Sequence, residues 1–314
     1  MNKILTISIA AYNVERFLDN TLKSLCVESI IDDIEVVIVN DGSSDDTPLI
    51  AKKYADKYPN SFILVNKENG GYGSTINSSL KIASGKYFKL LDGDDWFDSD
   101  NFSKFIKSLI NVEADLIYTP FFFVSDKDDT KKIENFSFPE NEVVCSSEIY
   151  ALSMHAMTVK TSLIKKKITI TEHCFYTDFE FALKCIELSY TLLYLNVPLY
   201  CYRVGLDGQS VSVKGYLKHI DDHEKMTKLS LSYVYGVKKF EKVKHQIENM
   251  VQRHMNLLIL NNDKQRYLVF KNYLKINYSG MKNASGFYQR LVYLFPHFLY
   301  KPFSYIKRKR TNLI

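Results

Sequence analysis

Asp92, Asp94 and Asp95 fall within four residues, directly after the apolar run 87–91, in the stretch Lys89-Leu90-Leu91-Asp92-Gly93-Asp94-Asp95-Trp96. Aspartate is a poor strand former, so three of them at the end of a strand-like segment need a reason. A hard divalent cation is one. Mg²⁺ or Mn²⁺ prefers carboxylate and phosphate oxygens and often takes only one or two protein carboxylates, leaving its remaining positions to water and a substrate's phosphates. Gly93 lets the chain turn so that Asp92 and Asp94 can point the same way. The plainer alternative is an acidic turn before a helix capped by Asp98 or Ser99, with Asp95 a cap or supporting residue.

A second acidic stretch follows another strand-like run. Residues 34–39 are β-branched and read as a buried parallel strand, ending in Asn40-Asp41-Gly42-Ser43-Ser44-Asp45-Asp46-Thr47. Asp-Gly makes a turn, and Ser44 or Asp45 caps a helix that begins near Thr47-Pro48. That turn does not need Asp41, which stands at the carboxyl end of the strand, where open α/β sheets bind nucleotides.

The elements that must position these groups recur in a rhythm. Residues 5–10 form an apolar strand, and a helical pattern runs through Leu18, Leu22 and Leu25. A helix near 48–58 precedes the strand 62–65, and a Gly-rich loop at 66–73 opens a helix bearing Ile76, Leu80 and Ala83. The strand 87–91 follows. This βαβαβαβ order predicts an α/β fold with a right-handed, mostly parallel sheet flanked by helices and its loops gathered at one edge. Beyond it, residues 115–124 read as one strand, 125–132 as a hairpin or loop, 133–145 as two edge strands and 192–203 as two strands around Pro198. From about Tyr216 the pattern is helical. Phe240, Val243, Ile247, Met250, Val251, His254, Leu257 and Leu258 make one apolar face, with His254 a core histidine. His219 and His223, one turn apart, read as a solvated face rather than a metal or acceptor site. The expected domains are 1–213 and a helical C-terminal appendage, 214–314.

Ala11-Tyr12-Asn13, the run 39–47, Asn69-Gly70-Gly71 through Asn77, Ala83-Ser84-Gly85-Lys86-Tyr87 and Leu90 through Trp96 resemble the ordered motifs of the family 2 glycosyltransferases. The resemblance is clear over residues 4 to about 100 and weaker to about 213. It implies the GT-A fold, a nucleotide-sugar donor, Mn²⁺ or Mg²⁺ as cofactor, and inversion at the anomeric carbon. Asp41 would accept from the uracil edge of a UDP-sugar, with Ala11, Tyr12, Asn13, Asn69 and Gly71 around the donor. Asp92 would meet the ribose or the metal, and Asp94 would be the metal ligand. His155 stands where that family lines the donor-sugar pocket, an ordinary loop histidine being the alternative. In the segment 173–181 the resemblance makes Asp178 the general base for the acceptor hydroxyl, with Glu180 the fallback and helix capping by Thr177 and Asp178 the structural alternative.

Two positions depart from the family pattern. A proline is usual near Ala11, and an arginine is common where Ile76 stands. The missing arginine shifts the holding of the diphosphate to the metal and to the backbone N–H groups of residues 70–74, which open a helix. The glycines there read equally as a flexible turn. Arg203 could meet a phosphate or a surface carboxylate.

Composition sets limits. Forty-one basic against 36 acidic residues leave +5, too mild to argue for nucleic acid. The five cysteines form no CxxC pair, which favours reduced thiols. No signal-peptide pattern opens the chain and no run reaches ~18 apolar residues, so a cytoplasmic protein is expected. Residues 286–314 combine aromatic bulk with Lys307-Arg308-Lys309-Arg310, as a segment at a membrane interface would, here the inner face of the plasma membrane; a docked helix is the alternative. With no QxxRW motif or helical bundle for export, single addition of a sugar to a lipid-linked or cell-surface glycan acceptor is expected. A nucleotidyltransferase would instead need a Gly-rich basic loop after the first strand. A catalytically decayed sugar-nucleotide-binding protein is the other reading, against which Asp41, Asp92, Asp94 and Asp178 stand together.

Overall fold

The computed structural model describes residues 3–206 and 210–278. The chain divides into two compact units, Met1–Asp207 and Gly208–Ile314. The aromatic, basic stretch 286–314 lies outside the described residues.

The first unit opens with β1 (Leu5–Ala11), α1 (Glu15–Leu25), β2 (Ile34–Asp41), α2 (Thr47–Lys57), β3 (Phe62–Lys67), α3 (Tyr72–Ile82) and β4 (Tyr87–Asp92). Strands β3, β2, β1 and β4 lie side by side and parallel, as the alternation of elements predicts. Every residue of β2 is buried, as expected for a parallel strand covered on both faces. The register sets Ala10 beside Asp92 and Asp41 beside Lys67, so the acidic strand ends share one edge of the sheet. At the opposite edge, the Glu35 carboxylate accepts from Thr6 Oγ1 (2.8 Å) and from Ser84 N (2.9 Å) and Oγ (2.6 Å). A Cβ on Gly85 would stand 2.4 Å from Thr6 N, so this glycine belongs to close packing of the sheet.

The rest of the unit comprises β5 (Trp96–Phe97), α4 (Ser99–Leu109), β6 (Leu116–Tyr118), β7 (Phe121–Ser125), β8 (Lys131–Glu134), β9 (Val143–Cys145), β10 (Met157–Lys160), α5 (Thr161–Ile164), α6 (Thr177–Leu188), β11 (Thr191–Tyr194) and β12 (Tyr200–Val204). The large sheet runs β3-β2-β1-β4-β10-β6-β11-β9, with β10 antiparallel to both its neighbours, and a second sheet runs β5-β12-β7-β8. The single strand expected over 115–124 is two, β6 and β7, which belong to different sheets. Pro120 sits at the break, where its missing N–H cannot serve a ladder. Asp98 caps α4 by accepting from Asn101 N at 3.2 Å, as expected.

The second unit comprises α7 (Val213–Lys218), α8 (Ile220–Val234), α9 (Lys244–Leu260) and α10 (Lys264–Asn277). The predicted apolar face of α9 is buried, His254 included. His223 is buried as well and stacks on His254 with centroids 5.4 Å apart, which corrects the solvated-face expectation for it. His219 stands at the junction of α7 and α8, whereas His223 lies within α8 on the side that meets α9, where a neutral imidazole packs like an aromatic ring. Burial pushes its pKa down to about 3. Among the described residues, no helix is long and apolar enough to cross a membrane.

One packing feature fixes where α6 begins. The segment entering α6 lies against the first turns of α3. Asn77 exchanges two hydrogen bonds with the backbone of Ile170 (Nδ2 to O and N to Oδ1, both 2.8 Å), and His173 N donates to Gly70 O at 2.6 Å. A Cβ on Gly73 would stand 2.0 Å from Thr171 O, so only glycine permits the approach. Gly73→Ala should therefore cost about 1–3 kcal/mol, read as a lower midpoint in urea unfolding. An unchanged midpoint would mean that this contact is not made.

Candidate active site

At the carboxyl edge of the parallel strands, Asp41 is almost fully buried and both of its oxygens are in use. Oδ1 accepts from Gly70 N (2.9 Å) and Lys67 Nζ (2.6 Å), and Oδ2 accepts from Gly71 N (2.9 Å). Asn69 Nδ2 donates to the Asp41 carbonyl at 2.9 Å. The pairing with Lys67 follows from register, since the two are partners on adjacent strands. The anion at the N-terminus of α3 is thus the chain's own carboxylate, where unsatisfied N–H groups and the helix dipole favour negative charge. Two expectations change. The N–H groups of Gly70 and Gly71 are committed to Asp41 rather than held open for a diphosphate. The glycines serve backbone geometry, Gly71 at φ 79° and Gly73 at the close approach to Thr171.

The loop after β1 is tied to the loop after β2. Asn13, at φ 51°, accepts through Oδ1 from Ser44 N (2.9 Å), and its own N–H donates to Ser43 Oγ (3.1 Å). Asp45 takes Thr47 N at 3.0 Å and Glu15 N at 3.1 Å, but the N-cap of α2 is Asp46, which makes no side-chain cap bond, so the cap expected of Ser44 or Asp45 falls one residue on. Ala11 is fully buried and supports the loop only from beneath, whereas Tyr12 is 52% exposed at its tip, open to stack on a planar ligand.

The Asp92–Asp95 turn is bound by residues from distant strands. Tyr72 Oη donates to Asp92 Oδ1 at 2.8 Å. Asp92 N donates to Tyr200 Oη (3.1 Å), and Tyr200 Oη donates to Asp95 Oδ2 (2.6 Å). Arg203 N donates to Asp95 Oδ1 (2.7 Å), and Arg203 Nε donates to the Asp94 carbonyl (3.1 Å). The Arg203 guanidinium lies over the rings of Trp96 and Phe17 and pairs with Asp126 at 3.0 Å. It therefore braces the acidic turn and meets a carboxylate, the second of the two roles open to it in the sequence.

Asp92, Asp95 and His155 offer ligand atoms that all lie within 4.8 Å of one another. Two carboxylates and an imidazole suit Mn²⁺, so these residues fit a divalent cation. The sequence placed Asp94 beside Asp92 in the metal set. The structure sets Asp95 and His155 within ligand reach of Asp92, and Asp94 acts on Asp92 as a neighbouring negative charge. Burial and then Asp94 push the Asp92 pKa up to about 7; burial also raises those of Asp94 and Asp95. Burial followed by the Lys89 charge lowers that of His155 to about 3, leaving a neutral ring able to donate a lone pair. His155 stacks on Tyr202 at 4.3 Å and meets Tyr200 edge-on at 4.8 Å.

Asp178 lies in the first turn of α6 with no side-chain cap made there. Burial raises its pKa to about 6 against the backbone N–H of Phe179, and its charge is felt by Asp92, Tyr72 and Tyr202. It thus lies within electrostatic range of the acidic turn. Glu180, the fallback base, is buried and committed, accepting from Thr171 N (2.9 Å) and Lys184 Nζ (2.7 Å). A step of two helical residues makes the difference, because positions 178 and 180 point about 200° apart around the axis. Tyr72, Tyr200, Lys67 and Lys89 were not singled out in the sequence. Only Lys89 left a signal there, a cation inside a buried strand.

A family model described as glycosyl transferase family 2 matches residues 6–177. The chain belongs to glycosyl transferase family 2. Among its relatives is the putative glycosyltransferase EpsH of Bacillus subtilis, 24% identical over 269 residues, a match covering 81% of this chain and 75% of that protein. The minor teichoic acid biosynthesis protein GgaB of the same organism is 27% identical over 246 residues, 71% of this chain but only 27% of GgaB. The crystal structure of S. aureus TarS 1–349 in complex with UDP-GlcNAc superposes with a TM-score of 0.57 at 19% identity, over 92% of this chain and 78% of that one. The mannosyltransferase PcManGT from Pyrobaculum calidifontis, in complex with GDP-Man and Mn²⁺, gives 0.59 at 14% identity, over 97% and 84%. The family 2 chain is a glycosyltransferase with the GT-A type of α/β fold, as its motif order implied.

Asp41→Ala strips the ionised partner from two backbone N–H groups and a lysine. It should cost about 1.5–3 kcal/mol in urea unfolding and weaken UDP binding in calorimetry. Wild-type values for both would remove Asp41 from the loop and from the donor site together.

Proposed function

We propose that this glycosyltransferase moves a sugar from a UDP-sugar to a hydroxyl of a lipid-linked or cell-surface glycan, with inversion, using Mn²⁺ or Mg²⁺ and Asp178 as general base. The observation that carries the reading is that Asp178, in the first turn of α6, lies within electrostatic range of Asp92, while Glu180 is spent on Thr171 N and Lys184. The resemblance to TarS in complex with UDP-GlcNAc supports a UDP-linked donor, and the teichoic acid role named for GgaB supports a cell-envelope acceptor. A cytoplasmic site beside the membrane, with residues 286–314 as the contact, belongs to the same proposal.

Each residue then has a task. Tyr12 packs on the base, while Asp41 and Lys67 set an acceptor and a donor side by side, the pattern that the N3–H and a carbonyl of uracil present. Asn13, Asn69 and Gly71 keep the loops around the nucleoside in place. Asp92, Asp94, Asp95 and His155 make up the acidic end, where a divalent cation would be held. When bound, the cation offsets the charge that builds on the departing diphosphate. Asp178 takes the proton of the acceptor hydroxyl while its oxygen attacks the anomeric carbon from the face opposite the leaving UDP, which inverts the configuration.

Assayed as UDP release over a panel of UDP-sugars, Asp178→Asn should lose about 10²–10⁴-fold in transfer while binding UDP as the wild type does. The wild-type rate should fall as pH drops through about 6, where the base takes up its proton. Stability has the opposite sign. The folded carboxyl holds its proton up to about 6 against the ordinary aspartate value of 3.8, so the folded state binds more protons between those limits and loses stability as pH rises through that window. Asp178→Asn, free of that loss, should therefore be at least as stable as the wild type above pH 6. Near-normal transfer by this variant would assign the base elsewhere.

A further inference from the structure

Lys89 is fully buried in the middle of β4, where an ammonium group needs partners to be tolerated. Its Nζ donates to the carbonyls of His155 (2.7 Å) and Met157 (3.1 Å) and lies 5.8 Å from the centre of the Tyr200 ring. The sheet explains why those two carbonyls need it. Strand β10 pairs with β4 only through Val159 and Lys160, and pairs with β6 as far as Met157. Below Val159 the chain parts from β4. The Ala156 carbonyl, turned to the β6 side, still accepts from Thr119 N at 3.1 Å. The carbonyls at 155, in the turn closed by Met157 N to Met154 O (3.2 Å), and at 157, the first residue of β10, accept instead from Lys89 across the gap left by the missing ladder. Lys89 bridges that gap with a side chain in place of two backbone donors.

We propose that Lys89 is a positioning residue that holds the fork between β4 and β10 open at a fixed width, so that His155 completes a cation site with Asp92 and Asp95. The inference rests on the cation reading above and deepens it. An apolar residue at 89 would leave two carbonyls without donors, and the segment 153–157 would shift to find new ones. The His155 ring rides on that segment, stacked on Tyr202 and within ligand-atom reach of both carboxylates. A supporting residue of this kind tunes a metal site without touching the ion.

The test is Mn²⁺ uptake in the presence of UDP, followed by the electron paramagnetic resonance signal of free Mn²⁺, for the wild type, His155→Ala, Lys89→Met and the double variant. His155→Ala and Lys89→Met should each bind Mn²⁺ about 10-fold more weakly or worse, and the double variant no more weakly than His155→Ala, because both changes remove one contribution. A lysine that only fills the core would lower the unfolding midpoint and leave Mn²⁺ affinity alone. Wild-type affinity in Lys89→Met, or losses that multiply in the double variant, would overturn the inference. If Lys89→Met does not fold, His155→Ala decides, since unchanged affinity there removes His155 from the site. A wild-type chain that takes up no Mn²⁺ with UDP present overturns the cation reading itself, whereas uptake by the wild type with unchanged affinity in His155→Ala overturns only this inference.

Discussion

Concentration of carboxylates at low exposure is the constraint on which the site is built. Asp92, Asp94, Asp95 and Asp178 converge at the carboxyl edge of the sheet, and burial raises the pKa of each. Like charges in such a place oppose one another's ionisation, so the arrangement costs stability unless positive charge or hydrogen bonds offset it. The fold supplies hydrogen bonds from far along the chain. Tyr72 serves Asp92, while Tyr200 and the Arg203 backbone serve Asp95. Strand β12 is thereby locked to the turn after β4.

Asp41 obeys the opposite rule. It is as buried as Asp95 yet sits beside Lys67 and at the start of α3, where positive partners are built in. One carboxylate thus organises the loop that opens α3 through a lysine and two backbone N–H groups, whereas the others, among the described residues, have no lysine beside them and rest on hydroxyl and backbone donors. The loop that Asp41 shapes also carries Gly73, through which α3 packs against the segment that delivers Asp178. The loop after β3 and the start of α6 are therefore two faces of one packing contact.

The sequence disclosed the parallel half of the sheet and its acidic ends, because β-branched runs closed by Asp-Gly turns are local signals. Asp178 and His155 were legible only through the resemblance to a family, since nothing within a few residues marks either as special. The division of 115–124 between two sheets escaped, although Pro120 was the local sign of it. So did the grouping of Asp95 and His155 with Asp92, which depends on Tyr200, Tyr202 and Lys89 meeting across sheet positions far apart in the chain. Burial of His223 against His254 was hidden for the same reason, being a property of helix pairing rather than of either helix.

The central claim is that the acidic edge holds a divalent cation together with a nucleoside diphosphate. Calorimetric titration of UDP into the intact chain, once with Mn²⁺ and once with a chelator, tests it directly. The account predicts that UDP binds at least tenfold more tightly with Mn²⁺, about 1.4 kcal/mol of coupling, and that UDP tightens Mn²⁺ binding by the same factor. Equal UDP affinity in the two titrations would contradict it.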